Sequence, residues 1–204
     1  MKFTQIQCPE SDVYRVSLTS GDPAVIKLHR HGRTSFKSVR KTRRYVAKRR
    51  HTSWLYVSRL AATREYAGLQ KLYPAGVSVP RPIAHNRHAI VMSAIEGDLL
   101  SDCHTFPKPH RILDEIVKKI KSAYLKAGII HADLSEYNIL ITPKLHVLFI
   151  DWPQWINSDH PNWHFYLERD LRNILYFFER KFGTERELSD VLAEVTHLGK
   201  PKPT

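Results

Sequence analysis

No aspartate or glutamate occurs between Pro23 and Arg64, although the 204-residue sequence holds 20 acids against 32 lysines and arginines. The formal charge of +12 is unevenly placed, with the basic residues of that stretch densest from Arg30 to Arg50. A cationic run this long, without counter-charge, repels itself as a compact surface. An anionic partner is therefore expected, with RNA or DNA phosphates the natural candidates. Cysteine is scarce: Cys8 and Cys103 make neither a disulfide framework nor a metal spacing. Free thiols in a reducing cytoplasm are the expectation. No apolar run approaches the ~20 residues that span a bilayer, and Met1–Gln5 lacks the apolar core of a signal peptide. No membrane partner is expected. Glycine is absent from Gln7-Cys8-Pro9-Glu10-Ser11-Asp12, a point that matters below.

What is present reads as an α+β chain. Short strands are predicted over Phe3–Gln7 and Val13–Leu18, around the loop from Cys8 to Asp12. Ser20–Pro23 is a turn, followed by a strand over Ala24–Leu28. An amphipathic helix fits Ser53–Leu72, with Gly76 and Pro80 beyond its end. Arg81–Ala84 and His88–Ile95 pair as a hairpin across Asn86-Arg87, and Glu96-Gly97-Asp98 reads as a linker. A second helix carries Ile112, Ile116, Ile120, Ala123 and Ala127 on one face and stops at Gly128. A hairpin over Ile139–Ile141 and Val147–Ile150 follows. An aromatic-rich helix is expected over Trp163–Phe182, with its aromatics from Trp163 to Phe178 in the core, and a capping-box pattern at Thr184–Glu187 opens a last helix to about Leu198. One bilobal domain is expected: a strand lobe over 1–92 containing a basic segment at 30–50, a hinge at 93–97, a helical lobe over 98–199 and a tail at 200–204. A cleft between lobes is a usual ligand site.

The residues that carry chemistry cluster at His131-Ala132-Asp133-Leu134-Ser135-Glu136-Tyr137-Asn138 and at Asp151, which ends an apolar run. An Asp, an Asn five residues on and a second Asp form the set a phosphoryl-transfer enzyme needs. One carboxylate orients and deprotonates a hydroxyl, while an amide oxygen and the second carboxylate suit Mg²⁺, which prefers oxygen ligands. A loop Asp and a turn Asn that cap backbone groups are the plainer alternative. Lys27 sits inside an apolar strand, where its charge needs a partner. Glu65, the first acid after Asp22, lies on the following helix. The loop at Cys8–Pro9 stands where phosphates are cradled, but without glycine its amides approach phosphate less closely. His29 and His31, or His160 and His164, have no third metal ligand at familiar spacing.

Taken together, Glu10-Ser11-Asp12-Val13-Tyr14, Lys27-Leu28-His29-Arg30, Gly32-Arg33-Thr34-Ser35-Phe36, Pro80-Arg81-Pro82, His131–Asn138 and Asp151-Trp152-Pro153-Gln154 resemble the RIO family of atypical serine/threonine protein kinases. The Rio two subfamily, with its archaeal members, is the nearest branch. The resemblance runs from about Cys8 to Phe182 and implies a bilobal kinase-like fold using ATP and Mg²⁺, with Mn²⁺ as a possible substitute metal. It implies that Asp133 is the catalytic-loop acid, and that Asn138 and Asp151 are metal ligands. Asp151 is also a possible phosphate acceptor. It implies that Lys27 contacts the phosphates and pairs with Glu65, that Glu10 and Ser11 lie at the phosphates, and that Met92 to Ile95 form a hinge facing adenine. It implies a role in maturation of the small ribosomal subunit, with Arg30–Arg50 matching the family's flexible loop and meeting small-subunit rRNA or the pre-ribosome. The protein substrate stays unspecified.

Three departures stand out. The sequence is expected to start at the first strand, where members of the branch usually begin with a winged-helix domain. Cys8 and Pro9 replace the usual Gly and Lys. The hinge, Met92-Ser93-Ala94-Ile95, lacks an acidic residue. The departures keep a second reading open, an RNA-docking pseudokinase with weak nucleotide binding. A third, a small-molecule kinase of the aminoglycoside-phosphotransferase type, shares the His-x-Asp pattern. The basic surplus and Asp151-Trp152-Pro153-Gln154 speak against it.

Overall fold

The computed structural model describes residues 4–6, 11–29 and 54–196. Cys8, Pro9 and Glu10, the basic segment Arg30–Arg50 and the tail at 200–204 lie outside the described residues. The contacts divide the chain into two units. The first takes the described residues through Ala67 together with Arg81–Ala94, and the second takes Gly68–Pro80 and the residues from Ile95 onward.

In the first unit, β1 (Thr4–Ile6), β2 (Ser11–Ser17), β3 (Pro23–His29), β4 (Pro82–Asn86) and β5 (Ala89–Ser93) form one antiparallel sheet in the order β1-β2-β3-β5-β4. The β2–β3 turn works as its composition predicts: Gly21 takes φ 89°, its N–H reaches the Leu18 carbonyl at 2.9 Å, and Ser20 Oγ donates to Asp22 at 2.8 Å. Ser11 and Asp12, expected in a loop, are instead the first residues of β2, with Ser11 opposite His29 and buried. The β4–β5 turn falls at Arg87-His88, one residue later than expected, because Arg87 takes the left-handed conformation at φ 47°. Helix α1 (Trp54–Leu72) buries Val57, Ala61 and Ala62, while Val16, Ala24, Ile90 and Met92 are buried on the strands.

The second unit contains β6 (Asp98–Leu99), α2 (Pro109–Lys126), β7 (Ile129–Ile130), a 3₁₀ turn (Glu136–Asn138), β8 (Ile139–Ile141), β9 (Val147–Phe149), β10 (Ile156–Asn157), α3 (Trp163–Phe182) and α4 (Leu188–Thr196). β6, β8 and β9 pair in that order, and β7 pairs with β10. Proline suits the first turn of α2 because its missing N–H has no helical partner there. The helix buries Ile112, Leu113, Ile116, Val117, Ile120, Ala123 and Tyr124, a 3.6-residue stripe, and Gly128 at φ 67° follows its end. Residues 68–80 belong here because Ser78 accepts the Phe149 amide at 3.0 Å and Gly68 leaves room for the Trp155 indole.

Two sequence expectations change in this unit. Thr184 does not open α4, which starts at Leu188. The Thr184 N–H instead reaches the Phe178 carbonyl at 3.2 Å and, with Gly183 at φ 61°, closes the end of α3. The aromatics of α3 are only partly core: Phe178 is fully buried, whereas Phe165 and Tyr176 are 61% and 57% exposed. Among the described residues no helix is long and apolar enough to cross a membrane.

Gly97, in the stretch read as a linker, is tightly packed. A Cβ there would stand 2.7 Å from the Ile141 carbonyl oxygen and 3.0 Å from its carbon. Those are backbone atoms of β8, which pairs with the strand that Asp98 begins. Gly97→Ala is expected to destabilise the fold by about 1–3 kcal/mol through this clash. Urea unfolding measures it, and a change under about 0.5 kcal/mol would show that β8 yields freely.

Candidate active site

The loop from His131 to Asn138 is held by its backbone. Asp170 of α3 accepts the Ala132 N–H at 2.7 Å on one carboxylate oxygen and the Leu134 N–H at 3.1 Å on the other. Arg169 donates to the Ala132 carbonyl, and Asn173 Nδ2 donates to the Leu134 carbonyl at 3.1 Å. Three residues of one helix therefore fix the peptide groups on both sides of Asp133, whose own side chain stays exposed. Ala132 takes φ 61°, a conformation that an L residue adopts at a cost of about 1–3 kcal/mol. It persists because its N–H and C=O are both bound by α3.

The other candidates are tied to the same loop. Asn138 Nδ2 donates to the Asp133 carbonyl at 2.8 Å, which turns its amide oxygen the other way. The Ile150 N–H reaches the Asn138 carbonyl at 3.0 Å, and His131 Nε2 meets the Ile150 carbonyl at the same distance. His131 also packs on Trp152 with ring centroids 4.4 Å apart. These contacts draw the chain just before Asp151 to the loop that carries Asp133. Asp151 itself takes φ 61°. Asn138 and Asp151 offer an amide oxygen and a carboxylate, a donor set that fits a hard divalent cation whose remaining ligands are phosphates and water. Among the described residues there is no cluster of three His, Cys, Asp or Glu side chains arranged for a metal. Trp152 is 1% exposed, and its indole N–H finds no acceptor among the described residues.

In the first unit, Lys27 and Glu65 meet as the sequence suggests. The Lys27 Nζ lies 2.9 Å from each oxygen of the Glu65 carboxylate, at side-chain exposures of 7% and 1%. Alternation along β3 places His29 on the same face, and its Nε2 stands 2.9 Å from Glu65 Oε2. Met92 is buried on β5 opposite Val25, whereas Ile95 lies beyond the strand in the second unit. Ser11 is buried at the start of β2, and Glu10 lies outside the described residues.

Sequence reasoning missed Arg169, Asp170 and Asn173. One signal was available: Leu167, Asp170, Leu171, Ile174, Leu175 and Phe178 make a single buried stripe, so Asp170 is a carboxylate at a core position. Such a residue needs partners that the helix itself does not supply.

Comparison with known proteins agrees with this geometry. The description "RIO domain" matches residues 12–191. A RIO-type serine/threonine-protein kinase Rio2 of Methanocaldococcus jannaschii is 45% identical over 188 residues, covering 89% of this chain and 69% of the relative. Rio2 of Schizosaccharomyces pombe is 38% identical over 85% of the chain and 50% of the relative. Among solved structures, a Rio2 kinase–ADP/Mg²⁺–phosphoaspartate complex from Chaetomium thermophilum superposes with a TM-score of 0.78 at 35% identity, covering 98% of this chain and 62% of that one. The chain thus spans half to about two thirds of these relatives.

Burial pushes the Asp170 carboxyl up to about 7, against the opposing pull of the Leu134 amide, Arg169 and the Ala132 amide. The unfolded chain releases this proton near the ordinary value of about 4. Between those pH values the folded state binds the extra proton, so this group's contribution to stability falls as pH rises. The stability of wild type relative to Asp170→Asn is therefore expected to decline from pH 4 to pH 7, by at most roughly 4 kcal/mol, and then level off. Parallel stability–pH curves for the two proteins would refute this. Asp170→Ala, which strands two buried amides, is expected to cost about 2–4 kcal/mol at pH 7 and more at lower pH, where the wild-type carboxyl holds its extra proton.

Proposed function

The chain belongs to the RIO family, and from that premise we propose that it is an ATP- and Mg²⁺-dependent serine/threonine phosphotransferase or ATPase. The observation that carries this reading is the clamped loop. Asp133 is exposed between two backbone groups that α3 immobilises, and Asn138 is bonded to the Asp133 carbonyl. A catalytic acid gains from such preorganisation because its geometry is fixed before substrate arrives. Asp133 accepts the proton of the attacking hydroxyl. The Asn138 amide oxygen and the Asp151 carboxylate hold Mg²⁺, which neutralises phosphate charge when bound. The Lys27 ammonium, oriented by Glu65, contacts the phosphates of ATP, and Met92 and Ile95 serve the adenine.

Two finer readings follow. First, Asp151 acts as a phosphate acceptor: its carboxylate oxygen bonds to the γ-phosphorus as the bond to the ADP oxygen breaks, and water later hydrolyses the acyl phosphate. The phosphoaspartate in the Chaetomium relative supports this reading. So does the left-handed backbone at Asp151, since strain of this kind concentrates where a side chain must be presented in one direction. Second, the protein works on the small ribosomal subunit, meeting its rRNA through Arg30–Arg50. The uncompensated charge of that segment supports it.

ATP turnover and autophosphorylation should be measured for wild type, Lys27→Met, Asp133→Ala and Asp151→Asn. Turnover is expected to fall by about 10²–10⁴-fold in Asp133→Ala and to be lost in Asp151→Asn, while Lys27→Met raises the KM for ATP. Equal activity in all four proteins would refute the reading. Retained phosphate in wild type is expected to survive acid and leave with hydroxylamine, and a hydroxylamine-resistant phosphoserine would exclude the aspartyl step.

A further inference from the structure

We propose that His29 is a positioning residue for nucleotide binding: it holds the second oxygen of Glu65 and so fixes the Lys27 ammonium that Glu65 orients. This rests on the reading that Lys27 contacts phosphate. The geometry is that of a buried three-member set. Lys27, His29 and Glu65 are 6%, 9% and 1% exposed. Glu65 Oε1 accepts the Lys27 hydrogen bond at 2.9 Å, while Oε2 lies 2.9 Å from Lys27 Nζ and 2.9 Å from His29 Nε2.

Lysine alone holds a carboxylate poorly in direction. Its ammonium is a compact point charge on a four-carbon stem, and it lacks the planar fork by which arginine matches a carboxylate. A glutamate held only by Lys27 would be free to turn about its terminal torsion, and the ammonium would move with it. The imidazole supplies the second anchor. His29 is two residues from Lys27 on the same strand face, so the two side chains approach Glu65 from one rigid base. That base is secured on both sides: Ser11 of β2 is its partner across the sheet, and the His29 N–H reaches the His88 carbonyl at 2.9 Å. The Nε2 contact to Oε2 is close but lies off the hydrogen-bond line. It acts through proximity, which an amide of matching reach reproduces and a shorter side chain does not.

The test compares His29→Gln, His29→Asn, Lys27→Met and Glu65→Gln, each with wild type, by calorimetric titration with Mg²⁺–ADP and by ATP turnover. Glutamine places its amide nitrogen near the position of Nε2, and asparagine stops short. His29→Asn is expected to weaken Mg²⁺–ADP binding and raise the KM for ATP by about tenfold, with kcat within about threefold of wild type. His29→Gln is expected to restore most of the affinity. The His29→Asn, Glu65→Gln double variant is expected to bind no worse than Glu65→Gln alone, because both changes remove one contact. Wild-type affinity in a folded His29→Asn, equal affinities for the Asn and Gln variants, or additive losses in the double variant would each overturn the proposal. If neither His29 variant folds, the Glu65→Asp variant carries the test: its shortened carboxylate withdraws from both partners, and wild-type nucleotide affinity there overturns the proposal. Failure of the underlying reading is distinguishable, since Lys27→Met would then bind Mg²⁺–ADP as wild type does.

Discussion

The bidentate grip of Asp170 on the Ala132 and Leu134 amides is the interaction on which the backbone geometry around Asp133 depends. Ala132 is held at φ 61°, a conformation worth about 1–3 kcal/mol of strain. Two hydrogen bonds to a carboxylate supply about 1.5–3 kcal/mol each and offset it. The carboxylate in turn is buried, and burial raises its affinity for a proton until Arg169 and the amides only partly compensate. A buried acid of this kind gives little net stability. What it does supply is direction, because the two amides it binds bracket Asp133, and neither can rotate without stranding a buried N–H.

The first unit solves a related problem by a similar device. Lys27 is a charge in the middle of a sheet, and burying it alone would cost several kcal/mol. Glu65 brings the opposite charge from α1, and His29 closes the set from the same strand as the lysine. In both units a buried carboxylate organises the groups around it. Asp170 binds backbone and so fixes a loop, while Glu65 binds side chains and so fixes a cation. Burial makes each carboxylate sensitive to loss of a partner, because the remaining groups are left with a polar atom that water does not reach.

Much of this was legible in the chain. The 3.6-residue apolar stripes placed α1 and α2, aromatic content placed α3, and the apolar run Ala24–Leu28 placed β3 with its embedded lysine. Asp133, Asn138 and Asp151 were readable because their spacing belongs to a fixed loop and strand arrangement. The pairing of Lys27 with Glu65 was readable because the chain offers no acid between Pro23 and Arg64. Other features depend on contacts that local sequence does not encode. The two-residue strands β6, β7 and β10 exist only through their partners. Thr184 fits two local roles equally well, and the αL turn at Gly183 decided for the helix end behind it. Gly97 read as part of a linker and is a close approach, since the backbone it nearly touches is more than forty residues away in sequence. Phe165 and Tyr176 looked like core by composition, but the stripe of α3 runs through Leu167 and Phe178 and leaves them outside it.

Asp151 shows how these constraints combine. It is the residue with the most chemistry assigned to it and, like Ala132, it has a left-handed backbone at a non-glycine position. The residue before it is bound twice: Ile150 gives its N–H to Asn138 and its carbonyl to His131. The residue after it, Trp152, is buried under His131. Asp151 thus lies between two anchored neighbours, with the hydrogen bonds of Ile150 before it and the buried Trp152 ring after it. The same logic governs Ala132, anchored through its own N–H and C=O. The strain at Ala132 and at Asp151 is maintained by hydrogen bonds from residues distant in sequence, whereas Leu145, also left-handed at φ 60°, is held locally in the β8–β9 turn. A substitution that loosens His131 or Asp170 would relax the backbone beside Asp133 and Asp151 without changing either side chain.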